Sequence, residues 1–146
     1  MLRKLMLAGL VMGLVGCASV PMGDSTRDAE LKTFKAKPDV AGVYIYRNEG
    51  MGAAVRMDVE VDGKPLGATA AKTYFYTEVP AGKHRLTSKA ENTDNIEVET
   101  VAGKLYYVWQ EVKMGILYAR TKLHLVGEEE GQKGVQESKL ASQIQP

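Results

Sequence analysis

The sequence predicts an all-β fold: an antiparallel β-sandwich of seven to eight short strands with a short C-terminal helix, preceded by a cleaved signal peptide. Three observations carry this prediction. Arg56-Met57-Asp58-Val59-Glu60-Val61-Asp62 alternates without a break, so Val55, Met57, Val59 and Val61 point one way and the charged residues the other. That is the period of a half-buried strand. Asp62-Gly63 follows at once, a dipeptide that favours the tight turn whose twist matches paired strands. Comparable punctuation returns at Ala81-Gly82-Lys83, Asn92-Thr93-Asp94-Asn95 and Ala102-Gly103-Lys104, and turns every 8–12 residues or so mark a sandwich or barrel.

Residues 1–16 read as a lipoprotein signal peptide. Arg3 and Lys4 precede an apolar run from Leu5 to Val15, and Gly16 stands before Cys17. A short basic segment, about eleven apolar residues and a small residue before the cut form the three-part export signal. The run falls short of the roughly 20 apolar residues that span a bilayer. Leu14-Val15-Gly16-Cys17 resembles the lipobox of bacterial lipoproteins, in which the cysteine thiol takes diacylglycerol and becomes the acylated new terminus. Cys17 is the only cysteine, so it is the expected lipid attachment site and the domain folds without an intrachain disulfide.

Residues 17–39 are expected to be the lipidated cysteine and a tether. The segment is polar and mixed in charge. Ser25-Thr26-Arg27-Asp28 could cap one short helix with Leu31 and Phe34 on one face, ended by Lys37-Pro38. Residues 40–146 form the β domain, with strands expected near 42–48, 54–62, 65–70, 72–79, 83–91, 95–101, 104–113 and 117–126. Pro65 confines its strand to an edge or to a strand start. Gly127 ends the β pattern, and Glu128-Glu129-Glu130 suits the positive end of a last helix over about 130–142.

Charge and composition exclude several function classes. Removing Arg3 and Lys4 from the 19 basic residues leaves 17 against 18 acidic ones. No basic excess points to nucleic acid or to a polybasic membrane patch, so membrane attachment is expected through acyl chains on Cys17. The two histidines, His84 and His124, sit beside lysines and arginines and read as solvated strand residues; with Cys17 committed to lipid they are too few for a zinc site. Ser88 lies on a strand without the Gly-x-Ser-x-Gly elbow of a hydrolase. No catalytic residue, cofactor or metal is therefore expected.

The aromatic residues are the strongest candidate for binding. If Phe75, Thr77 and Val79 look inward on one strand, Tyr74 and Tyr76 look outward. If Tyr106, Val108, Val112 and Met114 look inward on another, Tyr107 and Trp109 look outward. Such an outer face could serve as a platform for a glycan or peptide. Alternatively, the C-terminal helix or the tether covers it, with the hydroxyls hydrogen-bonded at the rim. A one-residue slip in register would exchange the two faces.

Four motifs in order, Val43-Tyr44-Ile45-Tyr46-Arg47, Val61-Asp62-Gly63-Lys64, Val79-Pro80-Ala81-Gly82-Lys83-His84 and Ala102-Gly103-Lys104-Leu105-Tyr106-Tyr107-Val108, resemble the bacterial lipoproteins catalogued as domain of unknown function 2846. The resemblance covers about residues 40–126 and implies a small β-sandwich on a lipid anchor, with no reaction or cofactor. The Asp62-Gly63-Lys64 and Pro80 to His84 segments are also similar to PEGA-type envelope β modules, although the Pro-Glu-Gly-Ala signature is absent. In this setting Ala18, rather than Asp, after the cysteine implies sorting to the outer membrane, facing the periplasm, in a Gram-negative host. The expected function is a lipid-anchored cell-envelope protein whose sandwich binds or supports another envelope component. The alternative is carbohydrate or peptidoglycan binding on the aromatic face.

Overall fold

The computed structural model describes residues 19–50 and 55–144. The signal peptide over 1–16, Cys17 and Ala18 lie outside the described residues.

The chain begins with a helix, α1 (Ser25–Leu31), followed by eight strands: β1 (Ala41–Arg47), β2 (Met57–Val61), β3 (Lys64–Thr69), β4 (Thr73–Val79), β5 (Gly82–Lys89), β6 (Thr93–Thr100), β7 (Leu105–Met114) and β8 (Ala119–Val126). A helix α2 (Glu128–Gln136) and a two-residue strand β9 (Lys139–Leu140) complete the described elements. The strands form a five-stranded sheet ordered β8-β7-β1-β4-β9 and a four-stranded sheet ordered β3-β2-β5-β6. The fold is an all-β sandwich, with β1 to β8 falling within a few residues of their expected positions. The expectation of uniformly antiparallel pairing is corrected at two places: β1 pairs with β7, and β4 with β9, in parallel. A tight hairpin forces antiparallel neighbours, but β7 reaches β1 only after the chain has built the other sheet, so no turn dictates its direction.

The five-stranded sheet is apolar on both faces. Every residue of β1 is buried, because Val43 and Ile45 face the second sheet while Tyr44 and Tyr46 face the helices. The inner core joins Val43, Ile45, Phe75, Val108 and Leu123 to Val59, Val61, Leu66, Leu86 and Val98 of the facing strands. The outer core joins Tyr44, Tyr46, Tyr74, Tyr76 and Tyr107 to Leu31 of α1, Val135 of α2 and Leu140 of β9. The molecule thus has three layers: helices, five-stranded sheet, four-stranded sheet. In contrast, β2 keeps the alternation read from sequence, with Met57, Val59 and Val61 buried and Asp58 exposed. Its turn is left-handed at both central residues, Asp62 at φ 51° and Gly63 at φ 77°, which is the primed hairpin geometry. Pro65 lies on β3, an edge strand, where its missing N–H disturbs no ladder.

Most of the segment expected as a tether is part of the domain. Met22 bridges Ala141, and Gly23 N donates to Leu140 O at 2.9 Å. The helix cap is Asp24, whose Oδ1 accepts Thr26 N at 2.9 Å, one residue ahead of the expected box. The helix ends at Leu31 and the chain turns left-handed at Phe34 (φ 52°) before Lys37-Pro38 is reached. The last helix is also shorter than expected, stopping at Gln136 so that Leu140 can enter the outer core on β9.

Two polar devices hold the layers in register. β8 is an edge strand, and side chains close its outer edge: Asn92 Oδ1 accepts Thr121 N at 2.8 Å, Asn92 Nδ2 donates to Thr121 O at 2.9 Å, and Asp94 Oδ2 accepts Leu123 N at 2.7 Å. The polar cluster at 92–95 is therefore more than a turn: it supplies the partner that an exposed edge lacks. Across the core, the fully buried Gln110 of β7 accepts from Thr69 Oγ1 at 2.6 Å and donates to Ser88 Oγ at 2.7 Å, which lies 2.6 Å from Thr121 Oγ1. Arg47 Nη1 donates to the carbonyls of Thr69 and Val55, at 3.2 and 2.7 Å. The chain of bonds joins strands of both sheets in a place where only satisfied polar groups are tolerated. Gln110→Leu removes the amide that both buried hydroxyls use, and chemical denaturation is expected to show a loss of about 1–3 kcal/mol; unchanged stability would mean that the network contributes nothing net.

Candidate functional site

The structure brings together all four aromatic residues proposed as a binding face, and it covers them. Tyr74 is 0% exposed, Tyr107 2% and Tyr76 8%, with Trp109 half-buried. Each polar tip has a partner. Tyr74 Oη donates to Asp28 at 2.6 Å and Tyr76 Oη to Glu78 at 2.8 Å. Gln132 Nε2 donates to Tyr107 Oη at 3.1 Å, and Trp109 Nε1 donates to Glu49 at 2.9 Å. Tyr44, between them, donates to Leu31 O at 2.7 Å and stacks on Tyr107 with centroids 5.3 Å apart. Burial pushes the phenols of Tyr44, Tyr74 and Tyr76 well up from their usual range, Tyr46 to about 12, and that of Tyr107 upward. The hydroxyls of Tyr44, Tyr74, Tyr76 and Tyr107 stay neutral and bonded. The reading of an open platform is corrected, and the covered alternative is the one realised.

The cover follows from the sequence of α2. Gly131 and Gly134 lack side chains where the helix crosses the sheet, and a Cβ at either would overlap Tyr107 or Tyr46. Glycine costs about 1 kcal/mol in a helix interior, and here it allows the backbone to lie directly on the rings. On the other side, α1 places Arg27 over Tyr76 and Lys32 over Tyr74, at 5.6 and 5.7 Å from the ring centroids.

His84 is a buried clamp rather than a solvated strand residue. It is 9% exposed, with Nδ1 2.6 Å from Asp62 Oδ2 and Nε2 2.7 Å from Pro80 O. Both ring nitrogens face acceptors, an arrangement complete only in the imidazolium form. The hydrogen bond to Asp62, outweighing burial, raises the His84 pKa. Burial alone would raise that of Asp62, but bonds from His84 and from Arg85 N hold it below the usual carboxylate range. The clamp ties the β2–β3 turn to the turn before β5. Two motifs that the sequence presents 22 residues apart are thus one contact, which neither motif alone reveals. His124 is half-exposed, stacked on Trp109 at 4.9 Å and 3.1 Å from Glu111.

Ser88 is engaged with Gln110 and Thr121. Among the described residues, no three His, Cys, Asp or Glu side chains stand close enough to hold a metal ion. A groove between β3 and β4 is lined by Val61, Leu66, Val79 and Ile144, with Asp62 and Lys64 at its rim; the chain itself crosses it, since Ile144 N donates to Leu66 O.

One exposed feature escaped the pattern reading. Met114, expected inward, is 85% exposed, and so is Leu117; Ile116 is 93% and Tyr118 54% exposed. They form the β7–β8 tip, and β8 begins at Ala119 rather than at residue 117. The available signal was the run Met114-Gly115-Ile116-Leu117-Tyr118, which has no charged side chain although it links two alternating strands.

The profile of a family described as protein of unknown function (DUF2846) matches residues 37–121. An uncharacterized protein of Haemophilus influenzae is 31% identical over 135 residues, covering 91% of this chain and 80% of that protein. No solved structure matches the chain.

The clamp makes stability depend on pH. His84, with its pKa raised, contributes below the ordinary imidazole value and loses that contribution as pH rises through its folded value. Asp62, with its pKa lowered, contributes above the ordinary carboxylate value and loses that contribution as pH falls through its folded value. The fall in Tm caused by His84→Ala should be largest between about pH 4 and pH 6.5 and shrink on either side; a pH-independent difference would argue that only packing is lost. Independently, Gly134→Ala should destabilise by about 1–3 kcal/mol through overpacking on Tyr46, measured by urea unfolding.

Proposed function

This chain belongs to the DUF2846 family of proteins of unknown function, and from that premise we propose that it is a lipid-anchored cell-envelope protein whose β-sandwich binds or supports another envelope component without catalysis. The observation that carries the reading is the lipobox Leu14-Val15-Gly16-Cys17, which holds the one cysteine of the chain and precedes Val20, which already packs against the inner core, by only three positions. Acyl chains at Cys17 would therefore hold the sandwich close to the bilayer surface. Several chains hold stably where one holds marginally, at about 0.8 kcal/mol per buried CH₂. Ala18 favours the outer membrane, facing the periplasm, in a Gram-negative host. The sandwich suits a supporting or binding role because the hydroxyls of Thr69, Ser88 and Thr121 and the His84–Asp62 pair are engaged in holding strands and turns together. Glycan binding on Tyr74, Tyr76, Tyr107 and Trp109 would require α1 and α2 to leave the sheet, so it stands second.

Mass spectrometry of the membrane-extracted protein should find Cys17 at the new terminus carrying diacylglycerol and an amide-linked acyl chain. Cys17→Ser should release the protein from the membrane fraction. An unmodified Cys17 in a protein that still fractionates with membranes would overturn the anchor. For the binding role, crosslinked envelopes should yield a defined partner that is lost when the surface of the sandwich is altered; crosslinks no more frequent than those of an unrelated lipoprotein would count against it.

A further inference from the structure

Among the described residues, the β7–β8 tip gathers four of the eight exposed large hydrophobic side chains. Met114, Ile116, Leu117 and Tyr118 project together, and two of the four residues, Met114 and Leu117, are equally exposed at 85%. The tip is built rather than frayed. Glu91 Oε1 accepts Leu117 N at 2.5 Å, and Glu91 N donates to Ala119 O at 3.1 Å. The Glu91 carboxylate occupies the space that a side chain at Gly115 would need. Below the tip, Lys113 and Arg120 are direct cross-strand partners, and both are exposed. Like charges set opposite one another cost stability. Glu111 offsets this for Lys113 at 3.6 Å.

We propose that this tip is a membrane-contact device: its four apolar side chains enter the interfacial zone of an anionic bilayer, and Lys113 and Arg120 meet the lipid phosphates. Three arguments select this occupant. The four side chains are 54–93% exposed, and the exposed cations Lys113 and Arg120 at their base complement the charge of an anionic surface. The order of the tip matches depth in a bilayer, with aliphatic side chains at the extremity, a phenol beside them and cations at the base. A second copy fits poorly, because four side chains fall far short of the roughly 800 Å² per partner of a stable interface, and a tip-to-tip pair would bring the cations together. The chain enters the sandwich beside β9, at the opposite edge of the same sheet from β8. The tip would therefore be a second attachment point, distinct from Cys17. The inference rests on the lipid-anchor reading only in taking a membrane to be within reach.

The test uses the full, natively processed protein carrying Leu117→Trp, compared with the parent that has Trp109 alone. Vesicles of phosphatidylethanolamine and phosphatidylglycerol with lipids brominated near the top of the acyl chain supply the bilayer. The added indole should shift to the blue and be quenched by the brominated lipid. Ile116→Asp should abolish the quenching, and each of Lys113→Gln and Arg120→Gln should lower tip insertion about fivefold. An added indole quenched by aqueous iodide and untouched by brominated lipid overturns the proposal. A blue shift without bromolipid quenching overturns it too, in favour of a protein occupant. The mass of Cys17 in the same sample separates the two readings. Acylated protein with a water-exposed tip leaves the anchor standing and removes the device; unacylated protein with a quenched tip does the reverse.

Discussion

Tyr44 and Tyr46 alternate with Val43 and Ile45 on a strand that meets water on neither side, and the rest of the chain is arranged around that fact. A sheet that is apolar on one face needs a single partner layer; the sheet built on β1, β4 and β7 needs two. The second sheet supplies one. The other is assembled from distant pieces: α1 from before the strands, α2 and β9 from after them. The glycines of α2, the cap at Asp24 and the bridge from Met22 to Ala141 all serve to bring those pieces down onto the rings. The ends of the domain are therefore structural, and the tyrosines are the surface they close.

The remaining open groups are handled by polar side chains. A sandwich of two unequal sheets leaves edges, and the outer edge of β8 would invite another strand. Asn92 and Asp94 fill it in the manner of a backbone. Gln110 reaches across the core to couple β3, β5 and β8, and the His84–Asp62 contact couples two turns at the surface. These bonds specify how the sheets sit on one another, which apolar packing alone defines less sharply. They also account for the groups that might otherwise be taken for chemistry.

With the aromatic face closed and the polar groups engaged, the outward character of the molecule lies at its margins. One margin is the entry of the chain at Pro21 and Met22, beside β9. The other is the β7–β8 tip, where Glu91 holds apolar side chains away from the core. The two lie at opposite edges of the same sheet, and a protein confined to a surface can use two points to set its orientation where one sets only its distance.

Eight strands, the hairpin at Asp62-Gly63, the edge position of Pro65 and the inward and outward sets on β4 were legible in the sequence, because alternation and turn chemistry are local and the strand period is two. The sequence also showed tyrosines on the outer parity of two strands, without showing what lay above them. Whether that face was a platform or a core depended on where α1 and α2 docked, and docking depends on contacts between residues some hundred positions apart, such as Lys32 Nζ with Ser138 O at 2.6 Å. The parallel pairing of β1 with β7 and the union of Asp62 with His84 were decided in the same way. Met114 failed to turn inward because the core ends below it, a boundary that alternation does not encode. By itself the sequence determined which residues form strands and which side each prefers; the tertiary structure alone decided which of those sides meets water, because burial depends on the neighbouring layer rather than on the strand.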